Sequence, residues 1–190
     1  MNHSIVLEQE KKEALACQAE MTFYDLVKDI VETKAFCRMH HYRHHLHGST
    51  FEHSIKVAYL CYCHHRRSGK SEGLYELVRA ALLHDYFLYD HHAKEGEGRI
   101  TGLRHGLVHP RRALENAERA YPDLTKGERD AIRRHMFPLT LVPPKTRCGW
   151  LVCFYDKVAA IGDYCNRKKW KTATELQQIF GPCPQSAQKL

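Results

Sequence analysis

The chain has 190 residues, 43% hydrophobic and 27% charged, with a formal net charge of +7. That is the size and balance of one globular domain with a sizeable core, not of a disordered segment. No stretch approaches the roughly 20 apolar residues that span a bilayer, and residues 1–20 are too polar for a signal-peptide core.

The apolar periodicity predicts helices throughout, with no internal repeat and no convincing strand. A first helix is expected over residues 5–36, followed by a histidine-rich loop over 39–48. Ser49 and Glu52 stand at capping-box spacing, so a helix starts near Thr50. His53 falls in its first turn and shares a face with Val57, Leu60 and Cys61. The next helix covers about residues 72–86, with Leu74, Leu77, Val78, Ala81 and Leu82 on its inner stripe. Asp85 continues that stripe, and His84 sits at its edge. A loop rich in Gly, Lys and His follows, to residue 106. Pro110 suits the first position of a helix, which places His109 at its start. Ala113, Leu114, Ala117 and Tyr121 mark the inner face of that helix. Thr125 and Glu128 form a second capping box; Ile132, His135 and Met136 share a face, and Pro138 ends the helix. Pro143–Pro144 reads as a rigid connector. On the last helix, about residues 146–166, Val152, Cys153, Asp156, Ala159 and Ala160 line up. The tail from residue 181 reads as irregular. The expected fold is a single all-α domain.

Six side chains point the same way as these apolar stripes: His53, His84, Asp85, His109, His135 and Asp156. Imidazoles and carboxylates are costly to bury unless they are paired or bind metal. Asp85 alone could be a plain helix cap. Beside five further ligand-type residues it reads as a metal ligand. A carboxylate can bridge two cations, and neutral imidazoles suit Fe, Zn, Mn or Co. Six ligands are too many for one catalytic ion with an open position, and they fit two divalent transition-metal ions sharing Asp85. Eight cysteines are scattered, and Cys61 and Cys63 are too close for a metal knuckle. They read as reduced thiols of a cytoplasmic protein.

The segment from His53 through AALLHDYFLYD to FYDKVAA resembles the HD-domain superfamily of metal-dependent phosphohydrolases. The match covers residues 53–156, and the order His53, His84–Asp85, His109, His135, Asp156 is similar to its dinuclear members. The resemblance implies a helical bundle with its metal-binding core at 49–166. Residues 1–48 would pack on that core, and 167–190 would extend it. It implies that His53, His84, Asp85 and Asp156 hold one ion, and Asp85, His109 and His135 the other. Some mononuclear relatives carry an acid three residues after the dipeptide. That position is Leu88 here, so their acid/base arrangement is not carried over.

The implied activity is hydrolysis of a phosphomonoester or phosphodiester, for which a nucleotide is a fitting substrate. Asp85 would orient a hydroxide bridging the ions. His105, in the phrase RHGLVHP, is the rival of His109 for the second ion, and otherwise a substrate contact or proton donor. Lys157 would neutralise phosphate or be a solvated surface lysine. Arg112, three residues after His109, would grip phosphate as a bidentate donor or form a surface ion pair. Asp90 would support an imidazole or cap a loop. His40, His41, His44, His45 and His47 read as polar surface, with His47 the one closest to the site. Two alternatives stand beside hydrolysis: a di-iron oxygenase of the same fold, and a non-enzymatic module that senses a phosphorylated ligand. The positive charge favours a phosphorylated small molecule. The dispersal of the basic residues, without interleaved aromatics, disfavours nucleic acid.

Overall fold

Three of the helix starts are set by reciprocal capping. Thr22 with Asp25, Ser49 with Glu52 and Thr125 with Glu128 each exchange side-chain and backbone hydrogen bonds. These satisfy amide groups that a helix N-terminus otherwise leaves without partners. The computed structural model describes residues 22–42, 48–70, 72–89 and 102–165. In order it contains α1 (Phe23–Val31), α2 (Lys34–Cys37) with a 3-10 turn (Arg38–His41), α3 (Thr50–Arg67), α4 (Leu74–Leu83), α5 (Gly102–Ala120), α6 (Lys126–Arg134) and α7 (Arg147–Cys165). The fold is all-α: the described residues contain no strand. No described helix is long and apolar enough to cross a membrane.

The short helix α4 is the centre of the bundle. Leu74, Leu77, Val78, Ala80, Ala81, Leu82 and Leu83 are all buried, because α1, α3, α5, α6 and α7 pack around it. Burial of each leucine contributes about 1.5–3 kcal/mol. One charged residue enters this packing. Arg79 Nε donates to Glu128 Oε1 at 2.6 Å and Nη2 to Oε2 at 2.8 Å, while Nη1 reaches Asp123 Oδ2 at 2.7 Å. Glu128 is wholly buried and also accepts from the Thr125 amide. The planar fork-to-fork pair fixes α4 against α6 in position and angle. On the other side, His53 meets Asp156 and Lys56 Nζ donates to Ala159 O at 3.2 Å, which ties α3 to α7.

Four boundaries differ from the sequence reading. The helix expected over 5–36 is broken at Thr33, which leaves helical geometry, donates to Ile30 O at 2.7 Å and caps α2 through Phe36 N. A threonine hydroxyl competes with the helix for backbone partners, and period alone does not register that. Residues 5–21 of that helix lie outside the described residues, as does the tail from 181. Pro110 stands in the interior of α5 rather than at its start. The helix forfeits one backbone bond there and continues, with Ala113 and Ala117 buried beyond the proline. His135, not Pro138, ends α6. Finally, α4 stops at Leu83, so His84 is its C-cap and Asp85 lies just past it.

The Arg79–Glu128 pair generates the first prediction. Arg79→Ala leaves a buried carboxylate without its cation and should cost about 3–5 kcal/mol in urea unfolding. The double variant Arg79→Met/Glu128→Leu should recover most of that loss. A loss under about 1 kcal/mol, the scale of a surface ion pair, would show that the pair does not hold α4 to α6.

Candidate metal centre

Each of the six predicted side chains arrives at one place for a local reason. The Ser49–Glu52 box fixes the start of α3 and sets His53 one turn in. His84 and His135 use the same device at two different helix ends. His84 Nδ1 lies 2.7 Å from Ala81 O, and His135 Nδ1 lies 2.9 Å from Ile132 O. His109, inside α5, places Nδ1 3.1 Å from His105 O. A carbonyl only accepts, so in all three rings Nδ1 carries the proton, and in the neutral ring Nε2 presents a lone pair. Asp156 comes from the middle of α7, flanked by the buried Val152 and Ala159.

The lone pairs and carboxylates face one another. Asp156 Oδ1 is 3.0 Å from His53 Nε2 and 3.7 Å from His84 Nε2. Asp85 turns its two oxygens to different neighbours. Oδ2 is 3.5 Å from His84 Nε2, while Oδ1 is 3.1 Å from His109 Nε2 and 3.5 Å from His135 Nε2. His109 Nε2 and His135 Nε2 are 2.8 Å apart. None of the six residues is more than 8% exposed.

Two neutral imidazoles cannot hydrogen-bond lone pair to lone pair, nor can a lone pair bond a carboxylate. A proton or a cation must lie between them. His84 Nε2 is buried and makes no hydrogen bond among the described residues. Donor atoms about 2.1 Å from one ion, at tetrahedral or octahedral angles, stand about 3.0–3.4 Å apart. The separations here bracket that range. Among the described residues two groups could hold a metal ion: His53, His84 and Asp156, and His84, Asp85 and His135. The donor chemistry therefore fits a transition-metal ion, with the three Nδ1–H groups already anchored to carbonyls in the manner that orients metal-binding imidazoles.

Electrostatics point the same way. Burial pushes the Asp85 carboxyl up, but the charge of His84 and His109 and hydrogen bonds from His109 and His135, in their protonated forms, outweigh it and hold it well below the ordinary value. For Asp156, burial is likewise outweighed by His53 and His84. Burial lowers His135 to about 4, against the opposing pull of Asp85. Asp85 and Asp156 are thus held as carboxylates and His135 as the neutral ring near neutral pH, the forms that ligate metal.

The remaining candidates fall around this cluster. His109 lies in the interior of α5, not at its start as expected, because the helix runs through Pro110. His105 sits one turn before it. Its ring stacks on that of His109 with centroids 4.7 Å apart, and its Nδ1 is 3.0 Å from Tyr89 Oη. Arg112 is exposed, with its guanidinium 4.8 Å from the centre of the Tyr89 ring. Lys157 Nζ donates to His135 O at 2.5 Å and lies 3.4 Å from Asp156 Oδ2. It is therefore a tie between α7 and the end of α6 rather than a free surface lysine. His40 is exposed and stacks on Phe51; His41 is also exposed. Asp90, His44, His45 and His47 lie outside the described residues. A cavity of about 600 Å³ at the other end of α3, lined by His65, Lys70, Glu76, Arg147 and Cys148 among others, shares no residue with the cluster.

Sequence reasoning missed the segment that follows Asp85. Leu88 adopts φ 52°, a left-handed conformation costly for a branched side chain. Asn116 Nδ2 donates to Tyr86 O at 3.1 Å and Phe87 O at 3.0 Å, holding the turn from α5. Phe87 then packs edge-on against His105 and His109, and Tyr89 reaches His105. The phrase HDYFLYD carries no periodic signal for this. Its one legible mark is the aromatic density after the dipeptide.

No family model matches this chain, and neither a curated protein nor a solved structure matches it. The HD-type resemblance thus rests on the residues themselves.

The lowered His135 generates a prediction for the metal-free protein. Between about pH 6.5 and about pH 4 the unfolded chain protonates this imidazole and the folded chain does not. The unfolded state binds more protons, so folding stability falls as pH falls through that window and the loss levels off below it. The depressed carboxylates act in the same direction only below their ordinary range. Thermal melting with chelator present should decline from pH 6.5 to 4, and the decline should be shallower in His135→Gln. An identical slope in the variant would contradict the assignment.

Proposed function

We propose that this protein is an HD-type, metal-dependent phosphohydrolase that acts on a phosphomonoester or phosphodiester, with a nucleotide as the first substrate class to test. The observation that carries the reading is Asp85, whose two oxygens face different imidazole groups. That is the disposition expected of a carboxylate shared by two ions. His53, His84, Asp156 and Asp85 Oδ2 would hold one divalent ion of Fe, Mn, Zn or Co, and Asp85 Oδ1, His109 and His135 the other. When bound, such ions supply Lewis-acid charge to phosphoryl oxygens and lower the pKa of water so that hydroxide is present at neutral pH.

The chain's own groups account for the rest. Two carboxylates against two divalent ions leave the centre net positive, which favours an anionic substrate. Asp85, held rigidly just past α4, orients the nucleophile. Lys157 is already spent on His135 O and Asp156. Its role is to steady the end of α6 beside the centre, and phosphate contact passes to Arg112. Arg112, Tyr89 and His105 form a row leading inward to His109. Arg112 at the outer end offers a planar donor fork to phosphate. His105 at the inner end would donate a proton to the leaving oxygen.

The decisive measurement is phosphate or nucleoside release from a phosphoester panel, run anaerobically with metal analysis of the same samples. Release should require divalent metal, stop on chelation and resume with Mn, Fe, Co or Zn. Asp85→Ala should lose metal and turnover together. His105→Ala should keep its metal while kcat falls about 10²-fold or more, the usual weight of a proton-transfer group. Oxygen consumption by the reduced iron form, with no ester cleaved, would replace hydrolysis by an oxygenase reading.

A further inference from the structure

The fold collects cations that look dispersed in the sequence. Lys126, Arg129 and Arg133 follow helical spacing along α6, so they share a face. With Arg134, Lys145, Leu114, Asp130 and Thr146 they line a groove of about 360 Å³ between α5, α6 and the start of α7. Five cationic side chains stand there against one carboxylate. That carboxylate is fully engaged inside the fold. Asp130 Oδ2 accepts from Lys145 N, Thr146 N and Thr146 Oγ1 at 2.8, 2.8 and 2.9 Å, and Oδ1 accepts from Arg134 Nη1 at 2.8 Å.

The cations differ in how they are held. Arg129 is anchored by Glu118 at 2.8 Å and by the Leu124 carbonyl. Lys126, Arg133 and Lys145 are exposed and form no ion pair recorded among the described residues. The groove therefore has two anchored guanidinium groups, Arg129 and Arg134, and three exposed cations around them. It is separate from the metal centre. His135 follows Arg133 by two residues, which is about 200° of helical rotation, and the His135 side chain is buried among the other ligands while Arg133 is exposed.

We propose that this groove is a second site, which binds a small polyphosphate: a ligand with two or more adjoining phosphate groups. Clustered anionic oxygens match clustered Lys and Arg donors, and the volume suits a few phosphates. No lining residue is aromatic, so the groove lacks the stacking surface that holds single-stranded nucleic acid. A ligand here bridges α6 to the start of α7 and reads charge alone.

The test uses the full chain and inorganic triphosphate in isothermal titration, at low salt where surface charges are least screened. With chelator present, so that the metal centre is empty, wild type and Asp85→Asn should bind alike, because the groove does not use the metal centre. The exposed pair Arg133→Glu/Lys145→Glu should weaken binding about tenfold or more with an unchanged melting temperature. The control Lys34→Glu/Arg66→Glu, which reverses two exposed cations outside the groove, should bind like wild type. Loss of binding in Asp85→Asn with retention in the groove variant would move the triphosphate to the metal centre and overturn the proposal. Equal weakening by the control pair would reduce it to general charge attraction. A short single-stranded RNA that binds more tightly than triphosphate through the same two residues would replace polyphosphate by nucleic acid.

Discussion

The burial of Asp85 is the constraint on which the rest of the structure depends. Taking a carboxylate out of water costs several kcal/mol unless its lone pairs are answered. Here they are answered by imidazole nitrogens on two sides, His84 on one and His109 with His135 on the other. In neutral rings those three nitrogens are themselves lone pairs, because the Nδ1 protons are committed to backbone carbonyls. The arrangement is self-consistent only with positive charge among them. Protons could supply it at acid pH. Near neutrality, where burial holds His135 as the neutral ring, the same donors could hold a metal ion.

Helix ends, rather than helix faces, do much of the positioning. His84 and His135 each cap a helix and each return Nδ1 to the carbonyl three residues back. A ring fixed at both its backbone and its Nδ1 has little freedom left, so Nε2 is aimed before any ligand arrives. The two helix ends must then be brought together. The buried Arg79–Glu128 pair, one turn or more before each end, sets that register. A buried ion pair is a poor source of net stability but a good source of geometric specificity. That explains why α4, whose other buried residues are Leu, Val and Ala, admits one.

The all-α fold and the convergence of the six ligand-type residues were legible because both follow from period. An inward-facing His or Asp at helical spacing announces itself against Leu and Ala, and capping boxes at Ser49 and Thr125 mark starts within three residues. Other features had no local signature. Arg79 reads as a surface residue until Glu128, far along the chain, is placed beside it. Tyr89 and Asn116 act on the centre through a turn whose shape depends on tertiary contact. Pro110 misled because a proline is a strong local signal, and here the packing of α5 overrides it. Thr33 misled in the opposite sense, since a hydroxyl that breaks a helix looks compatible with its pattern.

Charge was the property least legible in one dimension. The net excess of positive residues is plain from composition, but its placement is a consequence of how α6 is seated. This helix is nine residues long and strongly two-faced. Its inner side carries Ala131 and Ile132 into the core and ends in the His135 imidazole; its outer side carries Lys126, Arg129 and Arg133. Asp130 lies between the two and spends its charge on the start of α7. The same short element therefore presents a neutral ring to the buried carboxylates and a cationic surface to solvent. Under the proposed phosphohydrolase reading, a net-positive face a few residues from the centre would also raise the local concentration of phosphorylated molecules. The two proposed sites would then draw on one chemistry of ligand, while the buried Arg79–Glu128 pair holds the helix that borders both against α4.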